Sequence, residues 1–169
     1  MTLTLIVEDG SFVNPGNTNV PGANTYVDLD FFSEYCTNRG IVLSNDPTQL
    51  LIRAMDFMET ISYIGYKYTA AQMLQWPRAD IWVDGWYVPI FTIPWQLQIG
   101  QCAVAVAIDE GNGPLIDVPR ATMIERVGGV SVQYTPGATP LPFIRNISAQ
   151  LYKLMDAGGI GQQFKIKKA

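Results

Sequence analysis

The sequence predicts a mainly helical α+β fold: a bundle of about four helices with one β-hairpin and extended N- and C-terminal arms. Three observations carry this reading. Leu50, Leu51, Ala54, Met55, Met58, Ile61 and Ile64 recur at spacings of three and four, the core stripe of an amphipathic helix. Residues 100–108 are small and apolar nearly all round, as in a helix buried on most sides. Gly128 and Gly129 separate two alternating segments, 122–127 and 130–135, which reads as a hairpin with a tight turn.

The elements follow in order. Asn14-Pro15-Gly16-Asn17 and Pro21-Gly22-Ala23-Asn24 are turn signals, so residues 1–27 read as a short strand and an extended loop. Asp28 is a candidate N-cap for a first helix that Gly40 ends, with Phe31, Phe32, Tyr35 and Cys36 on its apolar stripe. Asp46 and Pro47 supply a cap and a first-turn proline for the second helix, expected to reach about Ile64, and a helical turn is expected over 70–74. Residues 76–92 read as loop and short extended pieces. Ile93-Pro94 opens the third helix, which runs to about Glu110 before Gly111-Asn112-Gly113-Pro114. In the 121–135 hairpin, Met123, Val127, Val130, Val132 and Tyr134 share one face with Glu125. After the Pro-rich link 136–142, a last helix is expected over 143–156, with Ile144, Ile147, Leu151, Leu154 and Met155 as its stripe. The tail 160–169 follows. Taken together, residues 1–169 read as one domain, with 28–110 as its helical core.

Composition narrows the function classes. At 48% hydrophobic and 15% charged, the chain can fill a core and still leave apolar surface for partners. There is no histidine, which removes the commonest general base and zinc ligand and with them the Ser-His-Asp and Cys-His arrangements. Cys36 and Cys102 both fall in helical patterns and read as buried free thiols, although a bridge stays open. No phosphate-binding glycine motif occurs, since Gly158-Gly159-Ile160-Gly161 follows a helix rather than a strand. The expectation is a non-enzyme with no cofactor and no metal. No apolar run reaches membrane-spanning length, and the first residues lack the features of a signal peptide, so no membrane partner is expected.

The stretch Leu74-Gln75-Trp76-Pro77-Arg78-Ala79-Asp80-Ile81-Trp82 poses the functional question. Aromatic residues crowd between Trp76 and Trp95, and rings beside a cationic groove can stack on bases. Yet Arg78 is the lone basic residue of that interval, against Asp80 and Asp84, and the formal charge is −4. A protein-contact reading takes Trp76, Arg78, Trp82, Trp86, Tyr87 and Phe91 as interface residues. It adds Ile160, Phe164, Lys165, Ile166, Lys167 and Lys168 of the tail, where apolar residues alternate with lysine. Within it, Trp76 is expected to wedge between helices of its own subunit, and Arg78 to pair with a carboxylate either locally or across the subunit boundary.

Several segments resemble a known family: Gly22-Ala23-Asn24-Thr25-Tyr26-Val27, Leu51-Ile52-Arg53-Ala54-Met55-Asp56-Phe57, Leu74-Gln75-Trp76-Pro77-Arg78, Ile93-Pro94, Glu125-Arg126-Val127-Gly128 and Val132-Gln133-Tyr134. The chain is similar to a tailed-phage group labelled DnaT-like single-stranded DNA-binding protein, whose members are taken as head–tail connector adaptors. The resemblance implies a virion protein of the phage neck, made in the host cytoplasm, with a helical adaptor fold. It also implies a ring of identical subunits, twelve in number, bound to the portal protein and to the next tail or neck protein. Duplex DNA would pass through its lumen without sequence-specific binding. An acidic chain suits a lumen in which DNA slides, so the adaptor role is the first expectation. A single-stranded DNA-binding replication accessory protein is the alternative.

Overall fold

The computed structural model describes residues 3–10, 20–111, 124–127, 130–133, 147 and 149–156. Among these the fold is α+β, with helices α1 (Leu29–Thr37), α2 (Pro47–Met58) and α3 (Trp95–Asp109). There are six short strands: β1 (Tyr66–Lys67), β2 (Arg78–Ala79), β3 (Ile81–Val83), β4 (Trp86–Val88), β5 (Ile124–Val127) and β6 (Val130–Gln133). They pair antiparallel in sequence order, as three two-stranded sheets among the described residues. This is not a clear helical bundle of the adaptor kind. One hairpin was expected, and the aromatic segment adds two further strand pairs.

Helix starts follow local capping chemistry. The Asp28 carboxylate accepts the Phe31 N–H at 2.7 Å, and the Asp46 carboxylate accepts the Gln49 N–H at 3.0 Å, satisfying amides that the first turn leaves open. Pro94 takes the N-cap position of α3 with no side-chain capping bond. Asp109, at the other end of α3, accepts the Ser44 and Asn45 N–H groups at 2.8 and 2.9 Å, which fixes the approach to α2.

The core lies where α2 packs on α3. Leu50, Leu51, Ala54, Met55 and Met58 of α2 meet Leu97, Cys102, Val104 and Ala105 of α3, all buried. Phe32, Tyr35 and Cys36 of α1 close one side. Ile147, Leu151 and Leu154 close another, and Gly100 permits that approach, since a Cβ there would sit 2.8 Å from Leu151 Cδ2. Two helices end earlier than their apolar patterns suggest. Helix α2 stops at Met58 rather than Ile64, and helix is present only to Leu151 in the 143–156 segment. The reason is shared: Tyr63 pairs with Met155 in an isolated bridge, and the Ile64 N–H donates to the Leu154 carbonyl. Backbone bonding between distant segments outcompetes helix extension there. The expected turn of helix at 70–74 is irregular chain, tied by Gln72, whose amide donates to the Leu74 and Pro77 carbonyls, both at 2.9 Å.

Near the N-terminus, Val7 bridges Thr25 in parallel, and the buried Glu8 carboxylate accepts the Gly10 and Val20 N–H groups. The turn signal at 14–17 lies outside the described residues, as do the link 136–142 and the tail 160–169.

Candidate functional site

The segment 74–91 divides into a buried corner and an exposed hairpin. The corner is built on Trp76, which is 0% exposed and joined to Pro77 by a cis peptide. Its ring meets Tyr63 edge-on at 5.9 Å. Enclosing an indole of this size contributes roughly 4–6 kcal/mol before ordering costs, at ~25 cal/mol per Å² over ~150–250 Å². The Trp76 N–H donates to the Tyr26 hydroxyl at 3.1 Å, and that hydroxyl donates to Glu59 Oε1 at 3.3 Å. Glu59 Oε1 also accepts the Gln75 N–H at 2.8 Å. Desolvation raises the Glu59 carboxyl above its ordinary value of 4.5, against the opposing pull of the Gln75 N–H. Burial likewise holds the Tyr26 hydroxyl far above its ordinary range, so it stays protonated.

Arg78 is buried and acts as an internal clamp. Its Nε donates to the Ile64 carbonyl at 2.8 Å, and one terminal nitrogen donates to the Tyr63 and Gly65 carbonyls at 3.2 and 2.7 Å. The other terminal nitrogen reaches Gln75 Oε1 at 3.0 Å. The guanidinium fork thus gathers the chain before β1 and fixes it against β2. Gly65 sits in this clamp at φ +68°, where a Cβ would meet the Ala79 carbonyl oxygen at 2.3 Å. Trp76 and Arg78, read as interface residues, are both buried within the corner. The hydrogen bonds of Arg78 run to backbone carbonyls and the Gln75 side chain, while Glu59 and Asp156 act on it through charge.

The exposed part is the β3–β4 hairpin, which joins two of the short extended pieces expected there. Asp84 and Gly85 form its turn at φ +53° and +83°, the positive pair that a type I′ turn requires. Asp-Gly between two β-rich segments is a strong hairpin signal, and the sequence reading passed over it. The register pairs Ile81 with Val88, Trp82 with Tyr87 and Val83 with Trp86. One face therefore carries Ile81, Val83 and Val88 toward the core, with Ile81 fully buried. Trp86 shares that face but overhangs the turn end, 79% exposed. The opposite face carries Trp82 and Tyr87, 60% and 49% exposed, with ring centroids 5.5 Å apart. Phe91 beyond the hairpin packs edge-on against Tyr68, both exposed. Thus Trp82, Trp86, Tyr87 and Phe91 present rings to solvent. The tail residues Ile160, Phe164, Lys165, Ile166, Lys167 and Lys168 lie outside the described residues.

Charge at the hairpin is sparse. The Lys153 ammonium lies 2.6 Å from Asp84 Oδ2 at the turn. Lys67 lies on β1, opposite Arg78. Both cysteines are free and buried, and burial pushes the Cys102 thiol up to about 12. Among the described residues no group of side chains could hold a metal ion, and no helix is long and apolar enough to cross a membrane.

One polar residue that sequence reasoning missed organises the core behind this region. Gln101 is fully buried; its Oε1 accepts the Tyr26 N–H at 2.9 Å, and its Nε2 donates to Thr25 Oγ1 and the Leu51 carbonyl at 2.9 and 3.1 Å. Its one available signal was an amide standing inside the apolar run 100–108.

No curated protein and no solved structure matches the chain. One family profile does, and its description is single-stranded DNA binding, not head–tail connection. This overturns the adaptor assignment, and with it the expected portal, tail partner, ring of twelve and duplex-filled lumen. The acidic composition behind that assignment describes the whole chain and says nothing of how its rings are displayed. With residues 3–169 matched, the chain belongs to the family described as "Putative DnaT-like ssDNA binding protein".

Proposed function

We propose that this protein binds single-stranded DNA in a replication-related role, with the β3–β4 hairpin as its stacking platform. The observation that carries the reading is the exposure of Trp82, Trp86 and Tyr87 on a hairpin whose Ile81, Val83 and Val88 side chains pack on the core. Large rings left in water on a rigid support offer π-faces to unpaired bases, and each stacked base contributes ~1–3 kcal/mol regardless of sequence. Duplex DNA hides those faces, so the platform prefers a single strand. Among the described residues few cations stand beside the rings, so stacking rather than phosphate neutralisation supplies most of the affinity.

The test is an anisotropy titration with labelled oligothymidylate and a matched duplex. The single strand is expected to bind more tightly than the duplex. Trp86→Ala should weaken single-strand binding about 5- to 150-fold, the equivalent of one lost stack. Its thermal stability should stay unchanged, since Trp86 is exposed. Undiminished affinity in Trp82→Ala, Trp86→Ala double variants would remove the hairpin from the site.

A further inference from the structure

A stacking platform orients bases, but the strand also carries phosphates past the same tip. Among the described residues, the cation paired with the tip is Lys153. Its Nζ lies 2.6 Å from Asp84 Oδ2 and 5.7 Å from the centroid of the exposed Tyr152 ring. The pair joins the hairpin turn to a segment 69 residues away. Asp84 is one of the two turn residues, so its carboxylate is presented between Trp82 and Trp86 in the chain, at the exposed end of the hairpin. Both side chains are open to solvent, at 35% and 61%.

Resting on the single-strand reading, we infer that Lys153 is a phosphate contact of the aromatic hairpin and that Asp84 is its built-in competitor. A carboxylate oxygen at hydrogen-bonding distance occupies the position on the ammonium that a phosphate oxygen takes. A strand stacked on a ring at the hairpin tip therefore exchanges Asp84 for phosphate on one cation. The exchange is cheap in both directions, because an exposed pair is well solvated and screened. It also keeps the tip from attracting any anion that lacks bases to stack. The free hairpin thus presents rings with its Lys153 charge already paired, and affinity depends on stacking and phosphate together.

The experiment is a titration of the full chain with labelled oligothymidylate across a salt series. It compares the unaltered protein, Asp84→Asn, Lys153→Gln and the double variant. Asparagine accepts the positive φ of position 84, so Asp84→Asn keeps the turn. Asp84→Asn is expected to tighten binding about 1.4- to 5-fold, the reciprocal of an exposed pair's worth. The slope of log Kobs against log salt should be the same in Asp84→Asn and the unaltered protein, since Lys153 neutralises one phosphate in each, and should flatten by about 0.7 in Lys153→Gln. The tightening should vanish in the Lys153→Gln background. Equal tightening in that background would mean a general repulsion by Asp84 and would overturn the exchange, as would no tightening at all. If neither the unaltered protein nor Asp84→Asn binds the oligonucleotide at low salt, the single-strand reading itself falls.

Discussion

The backbone N–H of Trp76 donates to the hydroxyl of Tyr26 at 3.1 Å, a bond closed across 50 residues of chain. Tyr26 precedes α1, and Trp76 forms the corner that leads into the hairpin. The same phenol donates onward to Glu59 at the end of α2. One hydroxyl therefore links three segments, and the corner that aims the hairpin hangs on it. Tyr26→Phe keeps the ring and its packing but orphans a buried amide donor. An unsatisfied buried donor costs ~1–3 kcal/mol, so the urea midpoint should fall correspondingly with the m-value unchanged. An unaltered midpoint would mean that Trp76 finds another acceptor.

Arg78 tests whether the corner supports the site or belongs to it. Lysine cannot reproduce a planar fork, so Arg78→Lys leaves carbonyls of Tyr63, Ile64 or Gly65 without donors. Stability should drop by about 3 kcal/mol, the cost of one or two such groups. Oligonucleotide affinity per folded molecule should not change, because the guanidinium is buried. If affinity falls while the unfolding midpoint holds, Arg78 is a DNA contact and the clamp assignment is wrong.

The chemistry of Glu59 predicts a pH dependence. Desolvation raises its carboxyl above 4.5 in the folded protein, so the folded state holds that proton more tightly than the unfolded chain. The stability this contributes is present below 4.5 and is lost as pH rises from 4.5 through the raised value. Glu8 is shifted in the same direction, also by burial, and adds to the trend. Glu59→Gln keeps an acceptor for the Gln75 N–H and removes one of the two titrations. Denaturation midpoints measured across this range should fall more steeply with pH in the unaltered protein than in Glu59→Gln. Parallel profiles would show that Glu59 is solvated well enough to titrate normally.

Much of the helical part was legible in the sequence because its signals are local. Asp28, Asp46 with Pro47, and the spacing of Leu50, Leu51, Ala54 and Met58 each act within a turn or two of helix. The early ends of α2 and of the last helix were not legible, since Tyr63 and Met155 meet only in the folded chain. Asp84 and Gly85 are a local turn signal, but the strands they join are three residues each, too short for their alternation to stand out between Pro77 and Pro89. Arg78 shows the deeper limit. Arginine is usually exposed, and its burial depends on carbonyls that three separate residues turn toward it. The exposure of Trp86 beside the burial of Trp76 is likewise a matter of register, which composition cannot distinguish.

Salt dependence separates stacking from charge at the hairpin. Each phosphate neutralised on a single strand contributes about 0.7 to the slope of log Kobs against log salt, whereas stacking an indole on a base releases no counterion. Trp86→Ala should therefore shift the line to weaker binding without changing its slope. The displacement should be the same at every salt concentration, on the order of 1–3 kcal/mol for one lost stack. Trp82→Ala should behave alike, since its ring is likewise exposed, with Tyr87 beside it. A slope that flattens in either variant would mean that removing the ring also removes a phosphate contact. The hairpin would then place the backbone rather than the bases, and the stacking mechanism would be wrong even though the strand binds.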